Sequence, residues 1–197
     1  MPLLVCSPSL PLHVVPLHVV DGCLPAWYVP HVGIPLRLYL DTSVLGAEFD
    51  TELPERVSVT RMLFELLARK VHRACLCPLG YEELGRAPSH VRAGIERRLA
   101  TFDLEVLTMT PAAAALANAY LGAGALPAGA LADAWHLAVA SVHAVDVLVS
   151  WNFQHMVNPV RRRAVHAVNL AHGRPLIEIA SPYEIVESDA GEGDTHG

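Results

Sequence analysis

The 197-residue sequence predicts an α/β fold, a three-layer α/β/α sandwich around a central, mostly parallel sheet. Three observations predict it. Short apolar runs recur along the chain, and they alternate with stretches of helical periodicity. At 52% hydrophobic and 17% charged residues, the chain also has the material for a sizeable buried core. Strands separated by helices of this length pair in parallel, and a parallel sheet has to be covered on both faces.

Taken in order, residues 1–36 stand apart from the rest. They contain no Lys or Arg, six prolines within the first thirty residues, and the tandem repeat Pro11-Leu12-His13-Val14-Val15, Pro16-Leu17-His18-Val19-Val20. Proline at this density opposes both helix and sheet, so the segment makes a poor membrane span. It also lacks the basic start and small-residue cleavage site of a signal peptide. It reads as a flexible extension. The domain proper is then residues 37–187.

Arg37 to Leu40 is a short apolar strand. Met62, Leu63, Leu66, Leu67 and Val71 recur on one face and predict a helix over Thr60 to Arg73. A second apolar run, Ala74 to Leu79, precedes the pair Glu82-Glu83. Ser89 after Pro88 reads as the N-cap of a helix carrying Val91, Ile95 and Leu99. Leu104 to Met109 is strand-like and stops at Thr110-Pro111. Helices over Ala112 to Gly122 and Gly129 to Ala144 are separated by Gly124 and Pro127. Asp146 to Trp151 is the next strand, Val160 to Ala171 a helix closed by Gly173, and Leu176 to Ala180 the last strand. Residues 188–197 read as a disordered acidic tail.

The net charge of −6 argues at first against a nucleic-acid partner. Its distribution changes that. Residues 178–197 hold six acids and no base, so the remaining body carries 14 acids against 14 bases. The bases are 13 Arg and one Lys, grouped in part as Arg92, Arg97, Arg98 and Arg161-Arg162-Arg163. Such groups are either solvated helix faces or sites that pair with phosphate. Cys6, Cys23, Cys75 and Cys77 have no zinc spacing, and free buried thiols in a reducing cytoplasm are the simpler account.

The chemistry lies in three isolated carboxylates, each in an apolar frame: Asp41 in Leu38-Tyr39-Leu40-Asp41-Thr42-Ser43-Val44, Glu83 in Pro78-Leu79-Gly80-Tyr81-Glu82-Glu83-Leu84, and Asp133 in Ala130-Leu131-Ala132-Asp133-Ala134-Trp135-His136. At Asp133 no Arg or Lys stands three or four residues away. Desolvating an unpaired carboxylate costs several kcal/mol or forces its pKa up, and a divalent cation is the cheapest counter-charge the three acids could share. Asp41 and Asn152 each follow a strand, so both can reach the carboxyl rim of a parallel sheet, where ligands gather. Asp133 lies early in a helix, at the positive end of its dipole. Three carboxylates and an amide make a hard oxygen site suited to Mg²⁺ or Mn²⁺.

In order and spacing, Leu-Tyr-Leu-Asp-Thr-Ser-Val at 38–44, Glu-Leu at 83–84, Asp-Ala-Trp-His-Leu-Ala at 133–138 and Val-Ser-Trp-Asn-Phe-Gln-His at 149–155 resemble the successive motifs of a PIN domain, over about residues 36–187. That family includes the toxic nucleases of VapC-type toxin–antitoxin pairs. The resemblance implies Mg²⁺- or Mn²⁺-dependent cleavage of RNA in the cytoplasm, with Asp41, Glu83 and Asp133 binding the ion. Asn152 falls at a fourth position that is often Asp in the family, and a hydroxyl from Thr42 or Ser43 follows the first acid. Glu83 is chosen over Glu82 because the family's acid directly precedes a Leu. The partners it implies are an RNA substrate, a cognate antitoxin and a second copy of the chain.

Each of these residues has a structural alternative. Asp41 could cap the helix after the first strand, and Asp133 could be buried for structure alone. Asn152 could hold a turn rather than serve a metal. Glu82 reads as a solvated acid, His136 as a packed or hydrogen-bonded core histidine rather than a ligand, and Trp135 and Trp151 as core aromatics; His155 is given no catalytic part. Because Asn152 removes one charge, a module that binds RNA or a protein partner without turnover is the rival to a nuclease. A haloacid-dehalogenase-type phosphatase would need an acid where Ser43 stands.

Overall fold

The computed structural model describes residues 35–191; the N-terminal extension, apart from its last two residues, and the end of the acidic tail lie outside them. Five strands form one all-parallel sheet in the order β3-β2-β1-β4-β5. They are β1 (Arg37–Leu40), β2 (Arg73–Leu76), β3 (Leu104–Val106), β4 (Val147–Val149) and β5 (Glu178–Ala180). Helices α1 (Thr42–Ala47), α2 (Pro54–Ala68), α3 (Pro78–Leu84), α4 (Ser89–Leu99), α5 (Pro111–Gly122), α6 (Leu131–Val142), α7 (Pro159–Ala171) and α8 (Pro182–Gly191) connect and cover them.

The strands' two-residue alternation divides the core in two. Tyr39, Cys75, Leu148 and Ile179 point to one face and pack with α5, α6 and α7. Leu38, Leu40, Ala74, Leu76, Val147, Val149 and Ala180 point to the other, against α1, α2, α4 and α8. This is the three-layer α/β/α sandwich that the sequence predicts. Among the described residues, no helix is long and apolar enough to cross a membrane.

The strand order also locates a ligand site. From β1 the chain steps outward to β2 and β3, then crosses back to place β4 on the opposite side of β1. The crevice beyond the carboxyl ends of β1 and β4 is the switch point where open parallel sheets bind ligands.

Several boundaries differ from expectation. α2 starts at Pro54 rather than Thr60, because a proline at N1 and Glu55 in the first turn favour that start. It stops at Ala68, where Lys70 turns left-handed (φ 61°) and Val71 donates back to the carbonyl of Leu66. Val71 therefore lies outside the helix. Pro78 at N1 divides the run 74–79 into a strand and the short helix that carries Glu83. Ser89 is the first residue of α4, with Pro88 in the cap position and no side-chain cap bond. α8 continues through Gly191, past residue 188 where the composition places the start of the tail, and Asp189 lies 3.2 Å from His72 Nε2. Close packing of α4 on the α1 side depends on Gly94, where an added Cβ would sit 2.3 Å from the Phe49 ring.

Candidate active site

Asp41 is the first residue after β1 and takes the N-cap position of α1 with an extended backbone, yet its side chain makes no cap bond. Its Oδ2 instead accepts hydrogen bonds from Ser43 Oγ at 2.5 Å and Ser150 Oγ at 2.7 Å. The capping alternative for Asp41 is thereby removed. Ser43 Oγ also accepts the Trp151 backbone N–H at 3.0 Å, and the Asp41 N–H donates to Val149 O at 3.0 Å. These bonds tie the ends of β1 and β4 together and hold Asp41 at the switch point.

Glu83 projects from α3 and accepts from the Thr42 hydroxyl and from His136 Nε2, the latter at 3.2 Å. The bond from His136 holds the Glu83 carboxyl below its ordinary pKa; burial opposes this, while Thr42 and the nearby Arg86 reinforce it. Glu82 is exposed, as expected of a solvated acid.

Asp133, in the first turn of α6, accepts on Oδ2 from Asn152 Nδ2 at 3.2 Å and lies 2.9 Å from His155 Nδ1. Its pKa is raised by burial and by the charge on Asp41, against the pull of His155 and His136. Asn152 does two jobs, since its Oδ1 also accepts the His155 backbone N–H at 3.0 Å and so closes a turn.

His136 is the hydrogen-bonded core histidine that the sequence suggests, and what the sequence leaves open is which groups it meets. It is 2% exposed, as a core histidine would be, but it faces the acids. Nε2 lies 3.2 Å from Glu83 Oε2 and 3.8 Å from Asp41 Oδ1, while Nδ1 lies 2.7 Å from the Tyr39 hydroxyl, which in turn donates to Cys77 Sγ at 2.9 Å. Burial alone would lower the imidazole pKa; Cys77, Glu83 and Asp41 outweigh it and push it up to about 10. The surroundings of His136 therefore favour its protonated form, next to two of the three acids. The sequence signal was the one-turn spacing from Asp133, which puts His136 on the same face of α6.

Asp41, Thr42, Ser43, Glu83, Arg86, Asp133, His136, Trp151 and Asn152 line one open pocket of about 450 Å³. Arg86 also escaped the sequence reading, although it stands three residues from Glu83. By contrast, several arginines of the expected basic patches are engaged elsewhere. Arg98 pairs with Glu48, Arg161 donates to the carbonyls of Gly124 and Ala125, and Arg162 pairs with Glu178 and Glu184.

The donor set suits a hard divalent cation. Three carboxylates and an amide line the pocket, and none of the three has a Lys or Arg ion pair among the described residues. Each acid is nevertheless drawn to its own hydroxyl, amide or imidazole partners. Among the described residues, no three His, Cys, Asp or Glu side chains stand close enough together to hold an ion as placed. Ligation by all three would require them to stand closer together than they do here.

No family model matches the chain, and no curated protein matches it. Solved structures do match: the crystal structure of VapBC2 from Rickettsia felis bound to a DNA fragment from their promoter is similar to this chain with a TM-score of 0.46 and 13% identity, over 74% of this chain and 98% of that one.

Proposed function

We propose that the chain is an endoribonuclease that uses Mg²⁺ or Mn²⁺ to hydrolyse RNA phosphodiester bonds, and that it acts as the toxin of a type II toxin–antitoxin pair. The observation that carries the nuclease reading is the single pocket at the sheet's switch point lined by Asp41, Glu83, Asp133 and Asn152. The toxin role, the antitoxin partner and a homodimer rest on the motif order at 38–44, 83–84, 133–138 and 149–155.

Asp41, Glu83 and Asp133 would hold the ion. Bound there, it would supply the positive charge that offsets the phosphodiester and lowers the pKa of an attacking water. Ser43 and Ser150 fix one oxygen of Asp41 and leave Oδ1 on the His136 side. Asn152 and His155 orient Asp133. Arg86 brings a guanidinium to the pocket wall, where it can fork onto a phosphate oxygen pair.

The test is cleavage of a generic single-stranded RNA with Mn²⁺. Activity that disappears with chelator, in Asp41→Asn and in Asp133→Ala is the expected result. Undiminished cleavage by Asp133→Ala would reject this site.

A second reading, a module that binds RNA or a protein partner without turnover, is favoured by one observation. Every acid in the pocket already has protein donors, and Asn152 stands where a fourth acid would add charge. RNA binding with no cleavage in either metal would select it.

A further inference from the structure

Beside the acid pocket runs a second groove of about 380 Å³, within the roughly 300–1,000 Å³ of ligand pockets, lined by Leu53, Pro54, Glu55, Arg56, Trp151, Phe153 and Tyr183. Trp151 lines both cavities, so the two are neighbours. We infer that this groove is a stacking subsite for a nucleobase of single-stranded RNA flanking the scissile phosphate, an inference that rests on the ribonuclease reading.

The groove is aromatic and rigidly built. Trp151 is its packed floor, held by a hydrogen bond from its indole Nε1 to Thr60 Oγ1 at 3.0 Å. Tyr183 meets it edge-on at 5.1 Å, and Phe153 lies 6.1 Å away at 53°. Phe153 is 52% exposed, so much of its surface is open to an incoming base. A stacked base would cover this apolar surface together with the neighbouring rings, because every base has a π face.

The charges favour a base over a phosphate. Arg56 stands over the Trp151 ring, its Cζ 5.1 Å from the centroid, but it lies 3.7 Å from Asp50 and donates to Ser43 O at 3.2 Å. Its positive charge is largely spoken for, and Glu55 on the groove wall repels an anion. A base edge brings amino groups that Glu55 on the groove wall can receive. The phosphate is left to Arg86 and the acid pocket next door.

The test is fluorescence anisotropy of a labelled short oligoadenylate, in chelator so that no cleavage occurs, against an abasic ribose–phosphate oligomer of the same length. The oligoadenylate should bind more tightly. Phe153→Ala should weaken oligoadenylate roughly fivefold to a hundredfold and leave the abasic oligomer unchanged, while Phe153→Tyr should restore affinity. Equal binding of the two oligomers, or equal behaviour of Phe153→Ala and Phe153→Tyr, overturns the subsite. So does an absence of oligonucleotide binding in which Phe153→Ala alters only self-association by sedimentation, which would assign the groove to a protein partner. Loss of base discrimination in a protein that still cleaves with Mn²⁺ removes the subsite and spares the nuclease. Discrimination in a protein that does not cleave removes the nuclease and spares the subsite.

Discussion

His136 Nε2 lies 3.2 Å from Glu83 Oε2, a contact between α6 and α3 across 53 residues of sequence that places an imidazole at the wall of the acid pocket. The same nitrogen is 3.8 Å from Asp41 Oδ1. In the absence of a metal, this histidine is the counter-charge that makes burial of two acids tolerable.

Removing it should therefore destabilise the metal-free protein. His136→Gln leaves Asp41 and Glu83 without their cation, and breaking a buried pair of this kind costs about 3–5 kcal/mol. Thermal melts in chelator should show the loss, and Mn²⁺ should recover more of it in the variant than in the parent protein. Melts that coincide in chelator would refute the role given to His136.

Tyr120 is a second buried polar centre, remote from the pocket. Its hydroxyl lies 2.5 Å from Asn169 Oδ1 and 3.0 Å from Ser141 Oγ, joining α5, α6 and α7. Tyr120→Phe keeps the ring and removes the donor to Asn169 Oδ1, while Ser141 Oγ keeps the bond from Asn169 Nδ2 at 3.0 Å, at about 1–3 kcal/mol. Urea unfolding should show a lower midpoint with an unchanged slope, and RNA binding should be unaffected. An unchanged midpoint would mean the network contributes nothing net.

Ala144 follows α6 with φ of 49°, a left-handed conformation that costs a residue with a Cβ about 1–2 kcal/mol. Ala144→Gly should raise stability by about 0.5–1 kcal/mol, because glycine accepts this φ but loses more chain entropy on folding. A lower melting temperature would show that the Ala144 side chain has a role outweighing its strain.

Glu184 gives the pH dependence that is clearest in sign. With Ser181 it forms a reciprocal cap on α8: the Ser181 N–H donates to Glu184 Oε2 at 2.6 Å and the Ser181 hydroxyl at 2.8 Å. Burial raises the Glu184 pKa, but the Ser181 N–H, Arg162 and the Ser181 hydroxyl outweigh it and hold the carboxyl below its ordinary 4.5. A depressed folded pKa means the unfolded chain binds the proton more tightly, so this stabilisation is full above 4.5 and is lost as pH falls through the depressed value. Glu184→Gln should melt lower than the parent at neutral pH, by about 0.5–1 kcal/mol for an exposed cap, and the two curves should converge in acid. A gap that persists in acid would assign the effect to packing.

Much of the architecture is legible locally. The apolar runs at 37–40 and 147–149 have strand length and β-rich composition, and their separation by helices requires parallel pairing whatever the detailed register. Helix ends are less legible. Thr60 to Arg73 shows the apolar stripe of α2 but not its start, because Pro54 and Glu55 act through the orphan amides of the first turn and leave no periodic trace. Its end depends on Lys70 adopting a conformation that a lysine has no intrinsic preference for.

By themselves, the residues determined an α/β sheet with Asp41 at a strand's carboxyl end and three acids in frames too apolar for them to stand alone. The tertiary structure decided what each acid meets: serines for Asp41, Thr42 and His136 for Glu83, Asn152 and His155 for Asp133. It also set Trp151 between two cavities and withdrew Arg98, Arg161 and Arg162 from any pocket role. The reason is range. Backbone periodicity is enforced by neighbours a few residues away, whereas a buried charge is satisfied by whichever polar atom the packed layers bring near it, and that choice is made only when the sheet and its helices close.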